Sequence, residues 1–416
     1  ISVNGTRLYD ATSNAEASDL STQTNLVGSQ TLVLSGTGII ASRDVGSNKT
    51  VSVGTLTLAD GSNGGLAANY TLSGGTHQLT VTQRPLNSSG SKAYDANTDA
   101  LANAITLSNL AGGETLIHSG TASTSSANAG SYTINNLAGI GISNGTGTAS
   151  NYTLTGGTHS FTINKRVVSL SGGSRQYNGS ATAIAADLPT INNLVGSETL
   201  TLSGNGVVEN ANVGDNKPLT NLSGLTLQNG SNGGLAANYT LSGGSSIISI
   251  TPRILSLDGS RVYDGTTNSN SSDLTISNLV GSETLSLSGF GTVTSENVGT
   301  NKTISLNTLS LSNGSGSASN YTLTGGTHTY DITSRAVTYS GTKVYDGSTS
   351  VNGSDLTTIS NLATGESLSI SGSGTISSAN VGTGKSVTAG TLSLQNGTGL
   401  ASNYTLGSGT FDVTQR

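Results

Sequence analysis

The 416-residue sequence contains no cysteine, methionine or tryptophan, and only 9% of its residues are charged. Without cysteine, the chain has no disulfide bond, no thiolate metal ligand and no cysteine nucleophile. Charged residues make up about 25% of an average globular domain, so this composition is unlike that of a typical cytosolic enzyme. These absences exclude thiol chemistry and argue against a conventional enzyme.

Long apolar runs and basic patches are also lacking. No stretch approaches the roughly 18 consecutive apolar residues of a transmembrane helix, so none is predicted. The 16 Lys and Arg residues are outnumbered by 22 Asp and Glu residues, and no basic stripe could follow a phosphate backbone, so we predict no nucleic-acid partner. Disordered chains usually combine low hydrophobicity with high net charge. The net charge here is only −6, which favours a folded chain.

What the sequence does contain is an internal repeat. Cutting after the arginine of "TQR", "NKR", "TPR", "TSR" and the final "TQR" gives the segments 1–84, 85–166, 167–253, 254–335 and 336–416. This period is longer than the about 20–50 residues of solenoid or propeller repeats. It lies within the about 50–200 residues of an independent domain. We therefore predict five small tandem domains, called repeats one to five below.

Every repeat carries the same landmarks in the same order. The first is a tyrosine followed by an acidic or amide residue, at Tyr9-Asp10, Tyr94-Asp95, Tyr177-Asn178, Tyr263-Asp264 and Tyr345-Asp346. An "NLVGSETL"-like stretch and an "NVG"-like turn follow. The last is "NYTL", which contains Tyr70, Tyr152, Tyr239, Tyr321 and Tyr404. We interpret all these residues as structural anchors of the repeats.

Between the landmarks, polar and apolar residues alternate. Stretches such as "ETLSLSG" (283–289) predict strands with one buried face, and clusters such as "NGSNGG" (229–234) predict turns. We predict an all-β fold in which each repeat is either a small β-sandwich or a β-grasp-like sheet. Because no Pro- or Ser-rich spacer separates the repeats, we expect the array to be an extended rod.

The stretch "SRVYDGTT" (260–267) resembles a small site, because a cation, an aromatic ring and a carboxylate lie close together. Tyr263 and Asp264 could hold a sugar, with Arg261 as a clamp. The structural alternative makes Tyr263 a core anchor and Asp264-Gly265 a turn, with Arg261 bound to Asp264 or to a backbone carbonyl. We favour the structural interpretation, since Asn178 replaces the aspartate in repeat three and alanine replaces the glycine in repeats one and two.

Candidate metal and catalytic groups are inconsistent between repeats. One "GGTH" histidine occurs in each of three repeats, at His77, His159 and His328, which is too few for a metal site within a domain, and we expect these to be exposed strand residues. A carboxylate recurs at Glu114, Glu198, Glu283 and Glu366 but is Gln30 in repeat one. We predict no catalytic residue, no metal, no cofactor and no enzymatic activity.

The landmarks of repeat five carry a family resemblance. The stretches "KVYDGSTS", "NLATGESLSISGSGTISSANVGTGKSV" and "ASNYTLGSGTFDVTQR" resemble the YDG-type repeat domain of large bacterial surface adhesins. Those adhesins include filamentous-haemagglutinin-like exoproteins of two-partner secretion. The resemblance implies an extracellular or outer-surface location, with the repeats as a stalk or matrix fibre. Since the chain lacks methionine and opens on "ISVNGTRLYD", which matches the interior of later repeats, we expect it to be a segment of a longer protein.

Two classes of function follow from this resemblance. The first is structural, a spacer or fibre that supports adhesion or biofilm formation. In the second, the repeats themselves bind an extracellular polysaccharide or other copies of the chain, with avidity from repetition or by strand exchange into filaments.

Overall fold

The computed structural model describes residues 1–134, 137–242 and 244–416. Within these residues the protein forms 45 short strands and ten 3-10 helices of three residues each, with no α-helix. The predicted mainly β fold of five tandem repeats is therefore confirmed. Across the same residues, no helix has the length and apolar character needed to cross a membrane.

The strands of the first three repeats are short and follow the predicted alternation. Repeat one contains β1 (Ser2–Leu8), β2 (Asn14–Glu16), β3 (Thr22–Thr24), β4 (Leu32–Ser35), β5 (Thr37–Ile40), β6 (Gly46–Ser52), β7 (Thr57–Asp60) and β8 (Gln78–Thr82). Repeat two and its entry contain β9 (Arg84–Pro85), β10 (Asn87–Ala93), β11 (Asp99–Leu101), β12 (Ile105–Ser108), β13 (Leu116–Ser123), β14 (Gly130–Thr133), β15 (Ile140–Asn144), β16 (Tyr152–Thr153) and β17 (His159–Asn164). Repeat three and its entry contain β18 (Arg166–Val167), β19 (Ser169–Ser171), β20 (Gly173–Gln176), β21 (Thr182–Ile184), β22 (Thr190–Asn192), β23 (Leu200–Val208), β24 (Gly214–Asn221), β25 (Leu225–Asn229), β26 (Tyr239–Thr240) and β27 (Ile247–Thr251).

Repeats four and five continue the pattern. Repeat four and its entry contain β28 (Arg253–Ile254), β29 (Ser256–Val262), β30 (Asn268–Asn270), β31 (Leu274–Ser277), β32 (Leu285–Ser288), β33 (Phe290–Val293), β34 (Gly299–Ser305), β35 (Ser310–Asn313), β36 (Tyr321–Thr322) and β37 (His328–Thr333). Repeat five contains β38 (Arg335–Val344), β39 (Ser350–Asn352), β40 (Thr358–Ser360), β41 (Leu368–Ser371), β42 (Ser373–Ile376), β43 (Gly382–Thr388), β44 (Ser393–Asn396) and β45 (Tyr404–Thr414). The 3-10 helices are Ala17–Asp19, Ala67–Asn69, Ala102–Ala104, Ala149–Asn151, Ala185–Asp187, Ala236–Asn238, Ser271–Asp273, Ala318–Asn320, Gly353–Asp355 and Ala401–Asn403.

Several of the repeats are organised around a curled, half-barrel sheet. In repeat one its strand order is β2-β5-β6-β8-β1-β3, and the same order recurs as β30-β33-β34-β37-β29-β31 in repeat four and β39-β42-β43-β45-β38-β40 in repeat five. The first and last strands, β1 and β8, pair in parallel within this sheet. Sandwiches of the immunoglobulin type are antiparallel, so the mixed sheet corresponds better to the grasp-like alternative. A separate antiparallel pair, β4 with β7, completes repeat one.

A glycine in the first strand allows a close approach by the 3-10 helix that follows. A Cβ atom at Gly5 would lie 1.6 Å from the carbonyl oxygen of Asp19, and one at Gly341 would lie 1.9 Å from that of Asp355. Any side chain there would displace backbone, so these positions require glycine.

The chain divides into two compact units. The first contains Ile1–Leu170, Ile191–Gly204 and Leu225–Ser245, and the second contains Ser171–Thr190, Asn205–Gly224 and Ser246–Arg416. In the first unit, one hydrophobic core runs from repeat one, with Val3, Tyr9 and Leu79, to Ala111 and Tyr152 of repeat two. The core of this unit is therefore continuous from one repeat into the next.

Candidate functional site at the joints between repeats

The first tyrosine of a repeat lies against the repeat that follows it. Tyr9 and Tyr94 do so in the first compact unit, and Tyr177 and Tyr263 do so in the second. We call each of these four contact regions a joint and number them one to four by the preceding repeat. Nearly every sequence landmark belongs to a joint.

The centre of each joint is a glutamate shared by two tyrosines. In joint four, Tyr263 donates its hydroxyl hydrogen to Glu366 Oε1 at 2.5 Å, and Tyr404 donates to Oε2 at 2.5 Å. The two rings meet edge to face, with centroids 5.3 Å apart. The same arrangement recurs with Tyr9, Glu114 and Tyr152, with Tyr94, Glu198 and Tyr239, and with Tyr177, Glu283 and Tyr321. Two charge-assisted hydrogen bonds and an aromatic pair thus connect neighbouring repeats.

The tyrosines of the joints are buried and remain protonated at neutral pH. Tyr263 is 2% exposed and Tyr404 is 5% exposed. Burial, followed by the hydrogen bond to Glu366, raises the pKa of Tyr263 to about 12. Burial and Glu198 likewise raise the pKa of Tyr94 and of Tyr239 to about 12. These phenols therefore act as fixed hydrogen-bond donors and not as bases.

The hydroxyl of the second tyrosine is also an acceptor. Tyr404 Oη accepts the backbone N–H of Ala363 at 2.9 Å, and Tyr239 Oη accepts that of Val195 at 3.1 Å. In joint one, Arg43 adds an ion pair to Glu114 at 3.2 Å. The phenol thus fixes the "NL" stretch and the glutamate of its own repeat in one place.

A second contact in each joint is made by the asparagine of "NYTL". In joint three, Asn320 Oδ1 accepts the N–H of Val213 at 2.9 Å and its Nδ2 donates to Asn212 Oδ1 at 3.0 Å. The other joints repeat this with Asn151 on Asp44 and Val45, Asn238 on Asn128 and Ala129, and Asn403 on Asn297 and Val298. All four asparagines are no more than 2% exposed. The amide therefore ties the "NVG"-like turn of one repeat to the next repeat.

The third contact is made by the arginine that ends a repeat. Arg253 donates Nε to the carbonyl oxygen of Asn278 and Nη2 to its Oδ1, both at 2.6 Å. Asn278 has a left-handed backbone, with φ of 72°, and donates its Nδ2 to the carbonyl of Ile254 at 2.7 Å. The same clamp recurs as Arg84 with Asn109, Arg166 with Asn193, and Arg335 with Asn361. Arginine suits this role because its planar donors bind two acceptors at once.

The residue after the first tyrosine forms a local turn. Asp264 Oδ1 accepts the N–H of Thr266 at 2.9 Å, and Asp10, Asp95, Asn178 and Asp346 accept in the same way two residues on. Arg261 forms an ion pair with Asp264 and donates to the carbonyl of Thr266, so both predicted types of partner are present. Burial alone would raise the pKa of Asp95, but Lys92 and the N–H of Asn97 hold it below its usual value. These side chains order the turn and do not converge on a shared pocket.

The turn also requires a left-handed backbone at the next residue. Gly265 has φ of 77°, as the predicted Asp-Gly turn requires. Ala11 and Ala96 occupy the equivalent positions with φ of 66° and 64°, where a Cβ is unfavourable. Repeats one and two therefore carry local strain in this turn.

The two landmarks without a neighbouring repeat have different surroundings. Tyr345 of repeat five is 40% exposed. In repeat one, Tyr70 donates to Gln30 Oε1 at 2.5 Å and accepts the N–H of Val27 at 3.1 Å. Burial of the first tyrosine thus depends on a following repeat.

The expectation of exposed histidines was wrong. His77 is 4% exposed and His328 is 7% exposed. The Nδ1 atom of His328 accepts the N–H of Leu257 at 3.2 Å, and Nε2 lies 2.8 Å from the carbonyl oxygen of Leu323. The ring therefore links the first strand to the segment before the last strand. Among residues 1–134, 137–242 and 244–416, no group of three or more His, Asp or Glu side chains is placed to hold a metal ion.

Sequence reasoning missed the role of the glutamates and of the "NYTL" asparagines. The change from glutamate to Gln30 argues against a catalytic carboxylate, but it does not indicate a contact between repeats. The available signal was recurrence, because the glutamate occupies one position in four repeats and the asparagine precedes the second tyrosine in all five.

Comparison with protein families matches the array repeat by repeat. The YDG domain matches residues 1–79, 76–160, 164–246, 249–330 and 328–411. A search of curated proteins finds no match. Since the five matches extend over nearly all of the sequence, the chain belongs to the YDG domain family.

Proposed function

We propose that the chain is a structural segment, a stalk or matrix fibre, of a bacterial cell-surface or secreted adhesin, and that it supports adhesion or biofilm formation. Its location is the cell exterior or the outer surface, and its role is not catalytic. The adhesin role and the surface location are inferred from the family resemblance. The role as a structural spacer is inferred from the joints between repeats.

The observation that carries the proposal is the recurrence of one joint at all four boundaries between repeats. Each joint combines a shared glutamate, a buried asparagine and an arginine clamp. Buried polar groups of this kind are costly to separate, because each would lose its partner. Specific contacts therefore hold neighbouring repeats together. A spacer that bears force needs such contacts.

The distribution of reactive groups agrees with a mechanical role. The tyrosines that the sequence offers for ligand binding are donors inside the joints, and their side chains are at most 5% exposed in joints one to four. The carboxylates of the Asp turns are bound by their own backbone and by a neighbouring cation. Both sets of groups are therefore occupied by contacts within the protein.

Small-angle X-ray scattering of the 416-residue chain tests the mechanical proposal. We expect the scattering of a stiff particle, and increased flexibility in a variant that combines Glu114→Ala, Glu198→Ala, Glu283→Ala and Glu366→Ala. Circular dichroism of both proteins would establish that the repeats are still folded. A wild-type chain that scatters as freely moving repeats would contradict the proposal, whatever the variant does.

Surface location needs a separate test. An antibody against the chain should label intact cells of the organism that encodes it. Labelling that appears only after cell lysis would contradict an extracellular role.

A further inference from the structure

In every repeat, the first strand lies beside the last strand and runs in the same direction. In repeat two, residues 88–93 of β10 pair with residues 159–164 of β17. In repeat four, residues 257–262 of β29 pair with residues 328–333 of β37. The same parallel pairing joins β1 to β8, β20 to β27 and β38 to β45. We call these two strands the first-last pair of a repeat.

The direction of this pairing determines where the chain enters and leaves a repeat. In repeat two, the chain enters the pair at Ser88, beside His159, and leaves it at Asn164, beside Ala93. The two points lie about 17 Å apart along the strands, at about 3.3 Å per residue. Tension along the chain therefore pulls the two strands past each other in opposite directions. An antiparallel pair would have both points at one end and would be peeled apart.

Sliding the two strands would break their hydrogen bonds together and not one after another. The backbone bonds continue beyond the strand ends, since Tyr94 donates its N–H to the carbonyl of Asn164 at 2.9 Å and Tyr263 donates to that of Thr333 at 2.8 Å. In repeat four, Thr333 Oγ1 also donates to the carbonyl of Arg261 at 3.2 Å. A load applied in shear is therefore shared among all of these bonds.

The first-last pair lies inside its sheet. In repeat two, β12 flanks the pair on one side and β14 flanks it on the other, and the pair is also flanked on both sides in repeats one, four and five. The inward side chains of the last strand are no more than 1% exposed at Phe161, Ile163, Tyr330 and Ile332. Water competes for backbone hydrogen bonds when strands begin to separate. Neighbouring strands and buried side chains limit its access to this pair.

Tension would reach each pair directly, because almost no chain separates consecutive repeats. A single residue lies between the last strand of a repeat and the strand that follows it, at Gln83, Lys165, Pro252 and Ser334. A long flexible linker would extend before the sheets were loaded. These connections instead pass tension from one repeat into the next.

We propose that the first-last pair gives each repeat a load-bearing function. Tension along the chain shears the pair, so the repeat stays folded under a force that would open the same strands by peeling. This function goes beyond that of a spacer, because a stiff spacer need not resist tension. It rests on the strand pairing within the repeats, and not on the joints or on the proposed surface location.

Single-molecule force spectroscopy on the full chain tests this proposal, and the absence of cysteine allows handles to be attached at chosen residues. Ser89→Cys with Asn164→Cys loads the pair of repeat two in shear. Ala93→Cys with Asn164→Cys peels it, because Ala93 lies beside Asn164. All three residues are exposed, so neither variant disturbs the core.

At equal loading rate, we expect an unfolding force at least about twofold higher in shear than in peeling, since forced unfolding depends on the unfolding barrier. Each unfolding event should release about 250 Å of chain in both geometries. This extension would show that repeat two was folded before it was loaded.

Repeat four supplies an independent set of variants at exposed residues. Asp258→Cys with Thr333→Cys shears β29 against β37, and Val262→Cys with Thr333→Cys peels them. A shear force no greater than the peeling force, in either repeat, would overturn the load-bearing proposal. That result would leave the joints, and therefore the spacer proposal, unaffected. Conversely, flexible scattering of the wild-type chain would contradict the spacer proposal without bearing on the first-last pair.

Discussion

At the scale of the residue, the same tyrosine has two environments within one chain. Tyr263 is buried in joint four and donates to Glu366, whereas Tyr345 occupies the same landmark and is 40% exposed. Comparing Tyr263 with Tyr345 distinguishes the stability that a tyrosine gives to its own repeat from the stability that it gives to a joint. Each variant of a joint residue thus has a matched control in an end repeat.

Loss of one phenol hydroxyl should destabilise a joint. Tyr263→Phe removes a charge-assisted hydrogen bond and is expected to lower the free energy of unfolding by about 2 kcal/mol. Tyr345→Phe should change it by less than about 0.5 kcal/mol, as for an ordinary surface substitution. Urea denaturation followed by circular dichroism would measure both. Equal effects of the two variants would contradict the role of the hydroxyl in the joint.

The strained turn of repeat two can be relieved. Ala96 is exposed and has φ of 64°, so Ala96→Gly removes strain without loss of packing and should stabilise the protein by about 1 kcal/mol. The reverse change, Gly347→Ala, places a Cβ in open space at φ of 76° and should cost about as much. Thermal unfolding of both variants would show whether each substitution stabilises or destabilises the protein. A destabilised Ala96→Gly protein would show that the turn is not strained.

At the scale of the element, the "NYTL" segment connects a 3-10 helix, a short strand and the preceding repeat. Asn320 ends the helix Ala318–Asn320, and Tyr321 begins β36. Their side chains contact Val213 and Glu283. Two adjacent residues thereby hold two of the three contacts of joint three.

Removing this asparagine should open the joint locally. Asn320→Ala leaves the N–H of Val213 without its acceptor and should cost about 1–3 kcal/mol. Hydrogen exchange at Val213 should accelerate, since the amide would be protected only by the remaining contacts. Asn69→Ala is the matched control, because Asn69 is exposed and lies outside the four joints. Unchanged protection of Val213 in Asn320→Ala would contradict the assigned role.

The elements were more predictable from the sequence than the joints. Strands such as β32 (Leu285–Ser288) follow from a local pattern, the alternation of apolar and polar residues. The shared glutamate depends on residues about 100 positions apart, as with Tyr263 and Glu366. No local sequence pattern predicts such a contact. Considered by itself in the sequence, Glu366 resembles a solvated surface charge. The Asp-Gly turn could be predicted because both of its residues are adjacent.

At the scale of the whole molecule, the buried phenols make stability depend on alkaline pH. The pKa of Tyr94, Tyr152, Tyr177, Tyr239 and Tyr263 is raised to about 12, first by burial and then by the neighbouring glutamate. A pKa raised by folding contributes stability that is fully present below the unfolded value of about 10. This contribution is lost as the pH rises through the folded value.

We therefore expect the free energy of unfolding to fall between about pH 10 and pH 12. Tyrosinate absorbance and circular dichroism, recorded together, should show ionisation of the joint tyrosines coinciding with loss of structure. Tyr239→Phe should reduce the slope, because it removes one titrating group. Ionisation of all tyrosines without any unfolding would contradict the predicted linkage.

The uniform joints also bear on how such a chain changes in length. Deleting 167–253 would bring Tyr94, Asn128 and Arg166 to face Glu283, Asn320 and Asn278, which are the residue types those side chains already contact. Any interior repeat can therefore follow any other without a new interface. Recombination between the similar coding segments would add or remove whole repeats in frame. Alleles that differ by integral numbers of repeats should encode proteins that fold equally well.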